Sequence, residues 1–452
     1  MTGLTQVLAE FVSGLSFDDI PTDAHPIVGR GFADCIAVML LGRGEDAVVR
    51  LRPIALGVHG PATILFNQGR SSVEMAGLVN GTAAQAVDFD DATLEGHPSA
   101  VLVPVALAVG EEIEANGRDL LTAYVAGYEI WAELLRRDAD KYHARGFHPT
   151  GLLGTLAAAA CAASLYRLDA VQTRNALSIA ASFASGIVAN FGSMMKPLQT
   201  GRAAENGIRA ARLAANGYAG ADDALEHPLG FLAAFSPEGR VNADPQSEVG
   251  RCWAILEKGL NIKLYPICYA AHRIIDAALS LRDDYAVDPE QIEMIKASLG
   301  RAQASPLRCH APTTKVDARF SAEFAIAAAL IAGRVTSDEV CDEFVMRRDV
   351  QSLMRKVSLE LLDERDPEDS LFSPADWISI QLTDGRTLSS QKIRHARGHA
   401  RRPASDAMMW DKFETCTRAT LDMEGSRRLF ERTMQLKDLL SVADLYLCAT
   451  KQ

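Results

Sequence analysis

Four basic side chains stand where an apolar, Ala- and Gly-rich run begins or a proline follows. They are His97 in EGHPSAVLVP, His148 in RGFHPTGLLG, Lys196 in SMMKPLQTG and His272 in YAAHRIIDA. Imidazole and ammonium groups at such positions exchange protons or attract anions. A lone histidine at a helix end is more often structural, and His25-Pro26 and His227-Pro228 show that the dipeptide itself is not diagnostic. The weight lies in the shared format. His148 precedes the start of a predicted helix, a position that favours an anion nearby and disfavours a protonated imidazole.

Beside His97 lies an acidic cluster, Asp88, Asp90 and Asp91, within NGTAAQAVDFDDATLEGHPSAVLVP (80–104). Ala76, Val79, Ala83, Ala84 and Val87 recur at helical spacing just before it. If that helix continues, Asp88 and Asp91 share a face. His97-Pro98 then breaks the pattern. As hard oxygen ligands the three aspartates would suit Mg²⁺ rather than Zn²⁺. No HExxH or close His pair accompanies them, so no metal is expected. GxGxxG, GxxxxGK[ST] and GxSxG are also missing, which argues against a nucleotide cofactor and a serine nucleophile.

The elements that must position these groups read as helices over 4–15, 27–41, 46–58, 74–87, 99–115, 118–137, 151–166, 172–189 and 203–215, with 62–66 a short extended piece. Asn116-Gly117 is a helix-to-helix turn, and Thr150 is the expected cap of the helix it opens. Lys196, before Pro197, is expected in an irregular loop. After about Leu264 the pattern changes. A loop from Tyr265 leads into a helix carrying His272. Residues 292–299 and 354–362 read as strands, 320–333 as a helix stopped by Gly333, and 377–393 as a hairpin turning at Asp384-Gly385. The tail, 406–449, returns to helix. The expected fold is mainly α: a large all-α helical domain (1–264 with 400–452) and a smaller α+β lid domain (265–399).

The 452 residues, 48% apolar and 23% charged, are those of a soluble globular protein. A net charge of −12 argues against a nucleic-acid partner. Eight scattered cysteines (35, 161, 252, 268, 309, 341, 416, 448), with no CxxC, fit reduced thiols and a cytoplasmic location. The N-terminus reads as a helix rather than a signal peptide, and runs such as 152–165 are too short to span a membrane comfortably.

Taken together, NGTAAQAVDFDDATLEGHPSAVLVP, RGFHPTGLLGT, NFGSMMKPLQTGRAAENG, KLYPICYAAHRIIDA and DARFSAEFAIAAAL resemble the MmgE/PrpD family, in that family's order and across roughly residues 4–400. The family contains 2-methylcitrate dehydratases, cis-aconitate decarboxylases and iminodisuccinate epimerases. The resemblance implies a cofactor-free homodimer with a site between two domains for small di- or tricarboxylates. It implies His97, His148 and Lys196 as catalytic groups, with Lys196 stabilising charge on a carboxylate while a histidine moves the proton. Asp88, Asp91, Thr93, His143, Cys268 and His272 would contact substrate, and the 265–272 loop would close over it. Three departures stand out. The segment between Asp91 and His97 is one residue shorter than in the decarboxylases. Cys268 stands where they have a histidine. Tyr142-His143 reverses the expected order. The expected reaction is therefore that of a 2-methylcitrate dehydratase-like hydro-lyase, with epimerisation or decarboxylation as alternatives. A catalytically silent carboxylate-binding relative is the alternative of another class.

Overall fold

The computed structural model describes residues 3–138, 142–236 and 238–447; Cys448 and Lys141 lie outside them. The chain is mainly α and divides into two compact units, one built from residues up to 260 together with 406 onward, the other from residues 261–405.

The first unit begins with α1 (Leu4–Gly14), α2 (Ala24–Gly42) and α3 (Asp46–Leu56). A pair of two-residue antiparallel strands, β1 (Ala62–Thr63) with β2 (Arg70–Ser71), leads to α4 (Val73–Gln85). Then come α5 (Pro98–Ile113), α6 (Gly117–Arg137), α7 (Pro149–Leu165), α8 (Ala170–Phe183) and α9 (Met195–Ala215), followed by two short helices, α10 (Phe231–Phe235) and α11 (Ala254–Lys258). Asn116 opens α6 as a capping box, its side chain accepting from the backbone N–H of Arg118 and Asp119. The Ala/Gly-rich α7 is buried along nearly its whole length and packs on α6 and α9, while α4 lies along α9. Small side chains let these helices approach closely.

Among the described residues α2 is long and apolar enough to cross a membrane, unlike the 152–165 run. In the fold 72% of its apolar window is buried, as a central helix of the first unit.

The second unit holds α12 (His272–Tyr285), β3 (Ile292–Gly300), α13 (Arg301–Ala304), α14 (Lys315–Ala318), α15 (Ala322–Ala332), α16 (Asp342–Val345), α17 (Arg348–Met354), β4 (Val357–Leu362), β5 (Trp377–Leu382) and β6 (Thr387–Ser389). The strands form one sheet in the order β4-β3-β5-β6. The β3–β4 pair is parallel, in register from Ile295 with Val357, and the other pairs are antiparallel. Gly385, at φ 86°, makes the β5–β6 turn. Helix α12 packs on α15 and β5 to form the core. The two ends of this unit are hydrogen-bonded to each other: Ile262 N–H donates to the Gly398 carbonyl at 2.9 Å, and Ala400 N–H to Asn261 Oδ1 at 2.9 Å.

The chain then returns to the first unit with α18 (Asp406–Thr417), α19 (Met423–Met434) and α20 (Ala443–Leu447); α18 and α19 pack on α2.

Three helix ends differ clearly from the sequence expectation; α8 stops at Phe183, six residues before the expected 189. Helix α4 stops at Gln85, and Asp88 takes a left-handed backbone (φ 54°), so Asp88 and Asp91 share a loop and not a helix face. Aspartate enters this region more readily than most residues. Lys196 lies inside α9, which starts eight residues before the expected 203. Pro197 falls in the first turn, where its missing N–H costs nothing, and this outweighs the preference of a pre-proline residue for extended backbone.

Candidate active site

In the first unit His148, His143 and Lys196 come together around a residue the sequence did not single out, Phe191. The ring of His148 meets it edge-on at 4.8 Å between centroids, His143 does so at 5.7 Å, and Lys196 Nζ lies 5.3 Å over its face. His148 is the N-cap of α7, with Pro149 as the first helical residue; its own N–H donates to the Gly186 carbonyl at 3.1 Å. Thr150 is therefore not the cap but the second residue of α7, and its buried hydroxyl has no hydrogen-bond partner among the described residues. Pro149 supplies a preset φ, so the cap position shifts to the residue before it.

The tautomer of His148 follows from its neighbour. Gln199 Nε2 donates to the Ile187 carbonyl at 3.1 Å, which turns Gln199 Oε1 towards His148 Nδ1 at 2.7 Å. Nδ1 must then carry the hydrogen, leaving Nε2 as the basic nitrogen. Gly186, at φ 141°, fits between them; a Cβ there would lie 3.0 Å from Gln199 Oε1. The imidazole is buried. Desolvation, then the charges of His97 and Lys196, hold its pKa well below the ordinary value of 6.5. It is neutral at neutral pH.

His97 is the N-cap of α5. Its Nδ1 lies 2.8 Å from Asp90 Oδ2 and 2.9 Å from the Asp91 carbonyl oxygen, two acceptors, so Nδ1 again carries the hydrogen. Lys196 Nζ donates to Asp88 Oδ1 at 2.6 Å, and both are buried. Asp88, Asp90 and Asp91 thus take different roles. The first holds the lysine and the second orients a histidine. Asp91 is fully enclosed, its Oδ1 accepting from Ser99 N–H at 3.1 Å in the first turn of α5. Burial first, then the Asp90 and Asp34 carboxylates, push its pKa up to about 8.

The loop joining these aspartates to His97 is a tight reversal. Thr93 and Gly96 exchange backbone hydrogen bonds at 3.0 Å, and between them Leu94 and Glu95 both have positive φ (54° and 56°). Two successive L-residues in this region are strained, and such strain collects at functional sites. Trp131 Nε1 donates to the Leu94 carbonyl at 3.1 Å and pins the turn. Gly96 is required by close approach, since a Cβ there would lie 2.6 Å from Trp131 Cζ2. Thr93 is nearly buried, whereas His143 is exposed in a short 3₁₀ turn at Tyr142–Arg145.

The remaining expected contacts, Cys268 and His272, belong to the second unit. Cys268 is partly buried, and its N–H donates to the Arg319 carbonyl at 2.8 Å. His272 is fully buried as the first residue of α12, between the rings of Tyr265 and Tyr269 at 5.0 Å each, with Nε2 donating to the Ile267 carbonyl at 3.1 Å. The same unit encloses a lysine the sequence reading passed over, Lys263. Among the described residues no three His, Cys, Asp or Glu side chains are grouped to hold a metal ion.

The groups missed in the first unit are Gln199, Phe191, Asp34 and Lys412. Gln199 had a local signal, three residues beyond Lys196 on the same helix face. Asp34 and Lys412 had none, because their pairing joins α2 to α18.

Comparison with known proteins shows the family of the chain. Residues 6–244 match the MmgE/PrpD N-terminal domain and residues 265–436 the MmgE/PrpD C-terminal domain. A cis-aconitate decarboxylase of Mus musculus is 28% identical over 97% of this chain and 92% of its own. That of Homo sapiens is 30% identical over 80% and 76%. A cis-aconitate decarboxylase-like protein of Aspergillus oryzae is 26% identical over 98% and 96%. With both domains matched in order, the chain belongs to the MmgE/PrpD family.

Proposed function

We propose that the protein is a cofactor-independent lyase that moves a proton at a carbon next to a carboxylate of a small di- or tricarboxylate. One observation carries this reading: His97 and His148 both have Nδ1 tied down, so each offers Nε2, and the charges of His97 and Lys196 both reach His148. A neutral His148 suits proton abstraction. His97, backed by Asp90, is assigned as its counterpart that returns the proton. Lys196 holds the substrate carboxylate, whose oxygens gain charge as the adjacent carbon becomes carbanionic, and a buried setting strengthens that attraction.

Loss of carbon dioxide from an unsaturated tricarboxylate such as cis-aconitate is the first reaction to test, since the relatives above carry that name. Dehydration of a hydroxylated tricarboxylate such as 2-methylcitrate is the second. It is favoured by Cys268, at a position where the resemblance expects a histidine in decarboxylases. Proton NMR in deuterated buffer with both compounds and an imino dicarboxylate separates them. A decarboxylase gives a product one carbon shorter with one deuterium at either end of the allylic carbanion that loss of carbon dioxide leaves. A dehydratase gives a new vinyl signal. Deuterium entry with inversion alone gives an epimerase. No exchange with any of the three overturns the proton-transfer reading.

A further inference from the structure

The loop 86–97 carries two of the three carboxylates that hold basic site groups or neighbour them on either side of a single residue, Phe89. Asp88 before it binds Lys196, and Asp90 after it binds His97. The loop has no ladder of its own and contains three L-residues at positive φ, Asp88, Leu94 and Glu95. Each such conformation costs about 1–2 kcal/mol and persists only where neighbours over-determine it. Three of the anchors lie towards its far end: the Thr93–Gly96 pair, Trp131 on Leu94, and Ser99 on Asp91. Another arrives from more than three hundred residues away. Lys412 Nζ, on α18, donates to the Phe89 carbonyl at 2.7 Å and lies 4.0 Å from the centroid of the Phe89 ring. It is also ion-paired with Asp34 of α2, and both side chains are buried.

We infer that Lys412 is a positioning residue for the active site: by clamping the Phe89 carbonyl and ring it fixes Asp88 against Lys196 and Asp90 against His97. This rests on the proton-transfer role given to His97 above. The clamp acts on the peptide between the two carboxylates, so a shift of Phe89 moves both. Asp34 serves to hold Lys412 through this buried ion pair.

The test compares Lys412→Met with the double variant Asp34→Asn/Lys412→Met. Removing one partner of a buried ion pair is strongly destabilising, whereas replacing both by neutral groups of similar size is often tolerated. The double variant therefore regains thermal stability lost in the single one. It does not regain the clamp on Phe89, so kcat stays down by at least about tenfold, the scale expected of a small misplacement, while KM changes little. A readout independent of substrate is ¹⁵N NMR of histidine-labelled protein, with the His97 signals identified by their loss in His97→Gln. Wild type shows the Nδ1–H tautomer at His97, and the double variant shows a growing Nε2–H share. A folded double variant with wild-type kcat and an unchanged His97 tautomer overturns the inference. If the wild type turns over none of the carboxylates, the proposed function fails, and the ¹⁵N signals still decide the role of Lys412.

Discussion

Replacing Asp91 by asparagine makes the protein less sensitive to alkali. Its carboxyl is fully enclosed, Oδ2 has no hydrogen-bond partner among the described residues, and its pKa is raised from 3.8 to about 8. The folded chain thus keeps a proton that the unfolded chain releases above about pH 4. For a pKa raised in the folded state, the stabilising contribution is full below the unfolded value and is lost as pH climbs through the folded one. Each pH unit within that window is worth about 1.4 kcal/mol, so the four-unit shift sets a ceiling on the order of 6 kcal/mol, of which about 2 kcal/mol falls between pH 6 and pH 8. Asparagine mimics the protonated acid and does not titrate. Urea unfolding of wild type and Asp91→Asn at pH 6, 7 and 8 isolates the effect, because other titrating groups cancel in the difference. The variant gains on wild type by about 2 kcal/mol across that range. A difference that stays flat to within about 0.5 kcal/mol refutes the buried, protonated Asp91.

Two substitutions test the site directly. Gln199→Leu strands the buried Nδ1–H of His148, a loss of about 1–3 kcal/mol that, appearing in the transition state, lowers kcat by roughly 5- to 150-fold; kcat within twofold of wild type removes Gln199 from the mechanism. Lys196→Ala lowers turnover at least as much as affinity, measured as kcat and KM on the substrate identified by NMR, and full turnover in a folded variant ends the role given to Lys196.

The sequence carried the helices of the first unit well, because long Ala-rich runs bounded by Asn116 and by prolines leave little choice of element. It placed His97 and His148 just ahead of helix starts for the same reason, though it named Thr150 as the cap that His148 is. It misplaced the end of α8, the start of α9 and the end of α4. At the last two a local rule met a competing one: Pro197 is harmless in a first turn, and Asp88 adopts a left-handed backbone. What periodicity cannot carry is pairing across the chain. The tautomer of His148 depends on Gln199, that of His97 on the Asp91 carbonyl and the Asp90 carboxylate, and the loop that holds both aspartates is clamped by Lys412. The Gln199–His148 and Lys412–Phe89 pairings have no sequence spacing that announces them, whereas Asp90 lies in the acidic cluster beside His97.

The hydrogen bonds that stitch residues 261–262 to 398–400 have a consequence for how the chain is assembled. To the helical unit, residues 261–405 are an insertion, and an insertion whose two ends are stapled together acts as a short linker however many residues it contains. The entropy of closing so long an excursion is met inside the inserted unit, by its own sheet and core. The helical unit can then recruit α18 and α19 after a long delay in synthesis as though they followed closely on α11. Additions at the exposed β5–β6 turn near Asp384 lengthen the excursion without widening its stapled base, and such turns are where insertions are best tolerated.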